Sequence, residues 1–479
     1  MATAASAVEK RDTHADPSVN LNAVAPSPAE YADDPSRSYW IREYVSPFDQ
    51  GEKPDALPEK VDVVVIGSGI TGASVVHEIA EQQPGLSVAV IEARGLCTGA
   101  TGRNGGHLGR PNAYHVRELA DMFGDAEAIR LREFIIRNKD LLIECIRKLG
   151  KADEVDLCVK GTIAVFKTAE ERTVFVEDER WCRAKGMNVK GVVLSAEQTL
   201  QIVDMEPEMA QHGSVFLSDS GTIYPRKLVS LLFSDARDRM CDLSIHTYNP
   251  VTSVDYDPSN NHEYPYTIST EHGVVRSRAV FHATNAYCNR LIPELRSAET
   301  GVFGCRAHML AVQPNVAPPT EKDTTMAQGF GYDDFWHWLF QRRDNGPFLH
   351  GFAEVESMGE YDDSVTLPAD HPVRGTMLRF LEKAFPRKFQ SLEAGRDIVA
   401  DWTGIQGFTH NGSSIVGRPR KDSPAEWCSV GHNGEGMTRC FLAASMATQA
   451  MLAQMAGKSW KAPEWFPHSY MRNLEVDSP

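Results

Sequence analysis

At 479 residues the chain exceeds what a single hydrophobic core sustains, so two domains are expected. A composition 42% hydrophobic and 24% charged is that of a folded globular protein and excludes a wholly disordered or fibrous one. The formal net charge of −16 argues against nucleic acid or an anionic membrane surface as partner, because both demand basic patches. Residues 1–37, rich in Ala, Pro, Ser and Asp, read as a flexible arm. The β-branched run VDVVVIG, opening at Val61, predicts a strand buried on both faces. A helix follows, with Val75, Val76, Ile79 and Ala80 on one face and Pro84-Gly85 as its stop, and then a second buried strand ending on Glu92. Strand, glycine turn, helix and strand make a right-handed βαβ unit. Residues 114–150 read as amphipathic helix, and 155–168, 191–195 and 213–221 as strands. A helix is expected over 226–240, strands over 243–257 and 275–284, and an antiparallel set over 305–314, 335–343 and 347–355 with Asn345-Gly346 as hairpin turn. Helices over 376–389 and 437–457 complete the pattern.

Nine cysteines spread without close pairing point to free thiols in a reducing compartment, and no metal-ligand spacing is present. The first residues lack the apolar core of a signal peptide and carry acids that a mitochondrial presequence avoids. No apolar stretch approaches a membrane span, and the C-terminal VDSP is not a peroxisomal signal, so the expected setting is cytoplasmic.

Gly67-Ser68-Gly69-Ile70-Thr71-Gly72 is a GxGxxG turn between the first strand and helix. Its glycines allow a tight turn, backbone approach to a pyrophosphate, and close helix–strand packing. The helix N-terminus offers amides and a positive dipole end to the phosphates. Glu92, at the end of the second strand, stands where a carboxylate binds ribose hydroxyls. This fingerprint leaves NAD and FAD both open. After Glu92 come six glycines between Gly95 and Gly109, which suits a flat group lying against the segment.

The run Gly99-Ala100-Thr101-Gly102-Arg103-Asn104-Gly105-Gly106-His107 resembles the FAD-dependent oxidoreductases of the D-amino-acid oxidase, glycine oxidase and sarcosine oxidase superfamily. It is especially similar to the branch of gamma-glutamylputrescine oxidoreductase and its fungal relatives. The resemblance extends through Gly221-Thr222-Ile223-Tyr224-Pro225, Val251, the strand 282–287, the Trp402–Thr409 block and Gly431–Met437. It implies a fold of mixed α/β class: a Rossmann-type FAD-binding domain (38–113, 215–300, 400–460) interleaved with an α+β substrate domain built on an antiparallel sheet (114–214, 301–399), then a tail (461–479). FAD would be held by Gly67, Gly69, Ile70, Thr71, Gly72, Glu92, Ala93, Arg94, Thr98, Gly99, Ala100, Thr101, Arg103, Asn104, Gly105, Gly106 and His107. Further expected contacts are Val251, Ala283, Thr284, Asn285, Gly404, Gly434, Glu435, Gly436 and Met437. The last of these open the final helix, whose dipole would meet negative charge developing at flavin N1 and the C2 carbonyl.

Two departures from the family pattern stand out. Residues 347–352 carry no cysteine for a thioether link, and the position of a histidyl link in other relatives falls near Arg103, four residues before His107. Non-covalent FAD is therefore expected. Asn411 stands where many relatives have aspartate.

The implied reaction is hydride transfer from the carbon bearing nitrogen to flavin N5, giving an imine, with O2 as acceptor and hydrogen peroxide as product. Candidate catalytic groups are Arg306, His308, His107 and His432; candidate substrate contacts are Arg306, Trp338, His350 and Gln406, with Trp336 as a further aromatic candidate. The partner would be a small amine or amino acid. Two other readings stay open: a dehydrogenase or biosynthetic oxidase of a larger metabolite, and a non-catalytic flavin-fold protein. The sequence leaves oligomeric state and substrate identity open.

Overall fold

The computed structural model describes residues 20–31, 37–49, 56–259, 263–297, 299–317, 325–352, 358–366, 368 and 370–477. Much of the expected N-terminal arm, and residues 353–355 of the expected last hairpin strand, lie outside them. The strands are β1 (Lys60–Ile66), β2 (Ser87–Ile91), β3 (Thr162–Val165), β4 (Val192–Leu194), β5 (Ser214–Leu217), β6 (Asp242–His246), β7 (Val251–Tyr256), β8 (Tyr266–Thr270), β9 (Gly273–His282), β10 (Phe303–Val312), β11 (Gly329–Tyr332), β12 (His337–Gln341), β13 (Phe348–Phe352), β14 (Ile398–Phe408), β15 (Ile415–Gly417), β16 (Glu426–Val430) and β17 (Met471–Arg472). The principal helices are α1 (Ile70–Gln82), α2 (Val116–Phe123), α3 (Asp125–Lys148), α4 (Ala169–Ala184), α5 (Ala196–Ile202), α6 (Pro225–Arg239), α7 (Pro372–Ala384) and α8 (Cys440–Met455).

The first sheet runs β17-β15-β16-β9-β1-β2-β6, parallel from β16 to β6, with β7 and β8 attached as an antiparallel meander on β9. Alternation along the pleat divides its core. Val63, Val65, Val88 and Val90 face α1, α6 and α8, while Val64, Ile66, Ala89 and Ile91 face the meander. Burial on both sides explains why β1 and β2 are nearly continuous apolar runs. The second sheet, β14-β10-β13-β12-β11-β3-β5-β4, is antiparallel except for the β11/β3 pair, and α7 packs on one of its faces.

The structure moves several expected boundaries. β5 pairs with β3 and β4, and β14 runs along β10 to Phe408, so the second sheet extends past the breaks expected at 215 and 400. Helix α3, expected in the substrate domain, packs Leu131, Phe134, Leu142 and Ile146 into the core of the first. The helix expected over 114–150 is broken at Gly124, whose φ of +83° ends α2. Helix α4 lies between the strands expected over 155–168 and 191–195, where no element is expected; it buries only Phe175, Asp178 and Cys182, so its apolar stripe is thin. The 155–168 strand shrinks to β3, and the 243–257 strand splits into β6 and β7 around Tyr248 (φ +54°). Residues 20–31 pack against the body of the protein: Ala25 is buried beside Ala286, Tyr361 and Ile405. All nine cysteines are free. Among the described residues no helix is long and apolar enough to cross a membrane.

Candidate functional site

A long cleft runs between the two sheets, starting at the turn after β1. Gly67 has φ +105°, and a Cβ there would come within 2.8 Å of the Ala283 carbonyl oxygen. Any side chain at Gly72 would collide with the Gly67 carbonyl; Gly72 is absent from the cleft wall and serves instead to seat α1 on the turn. Glu92 is fixed by the Ser68 amide (2.9 Å) and hydroxyl (2.7 Å) on one oxygen and the Arg94 amide (3.0 Å) on the other. Ser68 escapes the sequence reading, although its place inside the fingerprint is a usable signal.

The loop after β2 lines the next stretch through Gly99, Ala100, Thr101, Asn104, Gly105, Gly106 and His107. Arg94 and Arg103 also reach the wall, but their guanidinium groups are committed to structure. Arg94 donates to Asp363 at 2.8 and 3.0 Å, and Arg103 donates to the carbonyls of Thr98, Asp363 and Thr403 at 2.8, 3.1 and 2.9 Å. Thr98 stands off the wall, and its carbonyl braces Arg103. Gly67, Gly69, Ile70, Thr71, Ala93, Val251, Ala283, Thr284, Asn285, Gly404, Gln406, Gly434, Gly436 and Met437 all line the cleft. Asn285 accepts hydrogen bonds from the amides of Gly431 (3.0 Å) and His432 (3.4 Å), which ties the end of β9 to the late glycine turn. Asn411 lies away from the cleft and shapes its own turn by accepting from the Ser413 amide at 3.1 Å.

Another stretch of the cleft is walled by His107, Phe335, Trp338, Ala307 and Met309. Trp338 lies over Gly351 and beside Gly105, where any side chain would occupy the space of its indole. Arg110, which the sequence reading misses, lines the cleft and pairs with Glu435; Glu435 also pairs with Arg439. Burial opposes ionisation of Glu435, but Arg110, Arg439 and Arg132 outweigh it and hold the carboxyl well below its usual range. Burial, with Arg110 and Arg439 nearby, lowers Arg132 to about 10.

The structure places three of the expected site residues off the cleft wall. In β10, Ala307 and Met309 face the cleft, so Arg306 and His308 belong to the opposite face, where Leu310 and Val312 join the core under α7. Arg306 donates to Glu360 (3.4 Å) and the Asp362 carbonyl (3.3 Å). His350 in β13 is likewise turned away; its Nε2 meets His337 Nδ1 at 3.0 Å, and Phe380 of α7 stacks on His337. Arg306, His308, His350 and Trp336 are absent from the cleft wall, and Trp336 sits beside Phe352.

The two candidate histidines that do line the cleft have engaged rings. His107 Nε2 meets the Leu339 carbonyl (3.2 Å) and the ring also bonds the Gly105 backbone; burial lowers its pKa to about 4. His432 lies between the Ser414 hydroxyl and the Ser429 carbonyl, both at 3.2 Å, and burial followed by Arg439 lowers it to about 4. Both are neutral near pH 7. Outside the cleft, His77, Glu81 and Asp235 bring three ligand-type atoms within 4.8 Å, but Arg239 pairs with both carboxylates there.

The residues present fit a flavin dinucleotide. Gly67 and Gly69 bring bare main chain to the cleft wall at the N-terminus of α1, the Glu92 carboxylate is fixed at the end of β2, and the buried Thr284 hydroxyl of a cleft-lining residue has no protein partner.

Residues 62–450 match the protein family described as DAO, FAD dependent oxidoreductase. The chain is 29% identical over 179 residues to one of the subunits of anaerobic glycerol-3-phosphate dehydrogenase of Escherichia coli K12, covering 37% of this chain and 28% of that one. It is 26% identical over 244 residues to gamma-glutamylputrescine oxidoreductase of the same organism, 50% of this chain and 53% of the relative. The matches thus span about a quarter and about half the length of these curated relatives. Glycine oxidase of Geobacillus kaustophilus is 20% identical over 424 residues, 87% of this chain and 98% of the oxidase. Its crystal structure superposes with a TM-score of 0.62 at 18% identity, covering 81% of this chain and 93% of that one, a likeness of fold.

Proposed function

The chain belongs to the DAO family of FAD-dependent oxidoreductases, and on that premise we propose that it oxidises the carbon–nitrogen bond of a small amine or amino acid. The observation that carries this reading is one cleft joining a nucleotide-type turn to an aromatic chamber at His107, Phe335 and Trp338. Bound FAD supplies the two-electron acceptor. The residues proposed here bind, orient and exclude water. Gly67, Gly69 and the N-terminus of α1 take the pyrophosphate, Glu92 the ribose, and the Gly434–Met437 turn the flavin end.

An amine must be neutral to lose hydride, and the walls of Ala307, Met309, Phe335 and Trp338 disfavour its charged form by desolvation. With the rings of His107 and His432 both engaged and tied to main chain, no side-chain base is assigned: the chamber takes up the neutral amine, whose proton is left to bulk water before it enters. Trp338 and Gln406 orient the substrate, while His107 and His432 position the loops that carry them. Non-covalent attachment is part of the proposal, supported by the engaged His107 ring and by burial of the Cys440 thiol, which pushes it up to about 12. O2 is the proposed acceptor, with release of hydrogen peroxide. A cytoplasmic setting is inferred from the nine free cysteines.

The names of two relatives support the amine reading, glycine oxidase and gamma-glutamylputrescine oxidoreductase. The 29% identity to part of a glycerol-3-phosphate dehydrogenase favours a second reading, a dehydrogenase passing electrons to another acceptor. A peroxide-coupled screen of amines, N-methyl amino acids and D- and L-amino acids tests both. Peroxide with oxygen uptake supports the oxidase; substrate-dependent dye reduction without oxygen uptake supports the dehydrogenase.

A further inference from the structure

Residues 20–31 precede the family-matched region 62–450, yet they cross from one wall of the cleft to the other. Leu21 packs against Phe303, Cys305 and Phe408 of β10 and β14. Ala25 is 1% exposed, set between Ala286 and Tyr361 and against Ile405 of β14. Its amide donates to Asn289 Oδ1 at 2.8 Å, and Asn289 Nδ2 donates to the carbonyls of Ala23 (3.2 Å) and Val302 (3.1 Å). Arg290 reaches the Ala25 carbonyl at 3.4 Å. The chain then makes a 3-10 turn over Pro28–Tyr31, and Pro28 lines the cleft with Ala286, Arg290 and Ile405. Asn289 is fully buried beneath this segment, with both atoms of its amide bonded to it.

We infer that residues 20–31 are a strap that forms part of the FAD site, anchored by Ala25 on Asn289, and that it closes the cleft over bound FAD. Its contacts bridge an element of each sheet, Asn285–Tyr287 with the residues after it on one side and β14 on the other, so FAD in the cleft and the strap over it stabilise the same closed arrangement. The strap therefore slows the release of FAD, and ordering of the strap follows occupancy of the cleft. This inference rests on the family's use of FAD and is independent of the amine reading.

The test is the rate of FAD release from the full-length holoprotein, followed by flavin fluorescence after dilution, for the wild type and for Ala25→Asp and Ala25→Ser. The aspartate does not fit the Ala25 pocket and ejects the strap, and is expected to release FAD about tenfold faster. Serine fits and is expected to leave the rate within about twofold of wild type. Hydrogen exchange is expected to show residues 20–31 more protected in the wild-type holoprotein than in its apoprotein, with that difference lost in Ala25→Asp. The apoproteins of all three are expected to melt together, which separates strap loss from general destabilisation. Equal release rates with residues 20–31 exchanging freely in Ala25→Asp would overturn the proposal, as would a fall in apoprotein melting temperature that accounts for the faster release. Bound flavin in the purified wild type tests the family premise separately.

Discussion

At Gly67 the backbone stands at φ +105° with the Ala283 carbonyl where a Cβ would go, so Gly67→Ala strains both the turn and its neighbour. A loss of about 2 kcal/mol of stability and a failure to retain FAD are expected, measured by thermal melting and flavin absorbance. The fingerprint is readable because its logic is local: glycine spacing and the carboxylate at the end of the second strand are written within one βαβ unit. Arg306 shows where that logic ends. Its residue type suits a carboxylate, but its use depends on which face of β10 meets the cleft, and a one-residue change of register exchanges the faces. Arg306→Ala is accordingly expected to leave kcat/KM within about twofold of wild type, whereas Trp338→Ala lowers it by about tenfold or more through loss of the chamber wall. Steady-state kinetics on the best substrate of the screen checks both. Arg110 is hidden for another reason: its partner Glu435 lies far along the chain, and only folding shows the pair.

The turn between β11 and β12 carries Phe335 to the cleft through three consecutive residues with positive φ, Asp333 (+55°), Asp334 (+51°) and Phe335 (+60°). Such a conformation is costly for side-chain-bearing residues and persists where surrounding contacts enforce it. Here His115 bonds Asp334 and Glu118, each at 2.8 Å, Lys167 pairs with Asp333 at 2.7 Å, and Glu171 accepts from the Asp334 amide at 3.0 Å. Burial opposes charging of His115, but the bonds to Asp334 and Glu118 outweigh it and hold the imidazole above its ordinary value. Burial lifts the Glu171 carboxyl to about 7. Both folded values are raised, so the stabilisation is complete below the unfolded values and is lost as pH rises through the folded ones. The Glu171 part of that loss is expected between about pH 4.5 and pH 7 and the His115 part above about pH 6.5, read as hydrogen exchange at residues 333–336 beyond its intrinsic pH dependence. Glu171→Gln is expected to remove the part of that excess due to Glu171. The sequence pattern places Phe335 and Trp336 in a strand over 335–343 and does not show β11, because the turn's conformation is imposed by partners on α2, α4 and the β3–α4 connection. Helix α4 itself escapes the pattern because so little of it is buried.

Across the whole molecule the cleft takes its walls from both sheets: the ends of β1, β2 and β9 on one side, β10, β12 and β14 on the other. Each sheet has its own core, so FAD links two bodies that the chain crosses between repeatedly. Saturation at about a hundredfold over Kd should add about 2.7 kcal/mol and raise the melting temperature by several degrees, checked by differential scanning fluorimetry with and without FAD. The interleaving is legible in outline from strand periods and glycine turns, but the allocation of α3 and of β14 is not, because apolar periodicity marks a buried face without naming what covers it. The central claim, that an FAD-bearing cleft takes electrons from a carbon–nitrogen bond, meets its most direct test in anaerobic mixing of the holoprotein with the amine and amino-acid panel. The account predicts that at least one of these compounds bleaches the visible flavin band and that air restores the band with formation of hydrogen peroxide. A flavin that stays oxidised with every amine and amino acid, yet is reduced by glycerol 3-phosphate or another substrate without nitrogen, would contradict it.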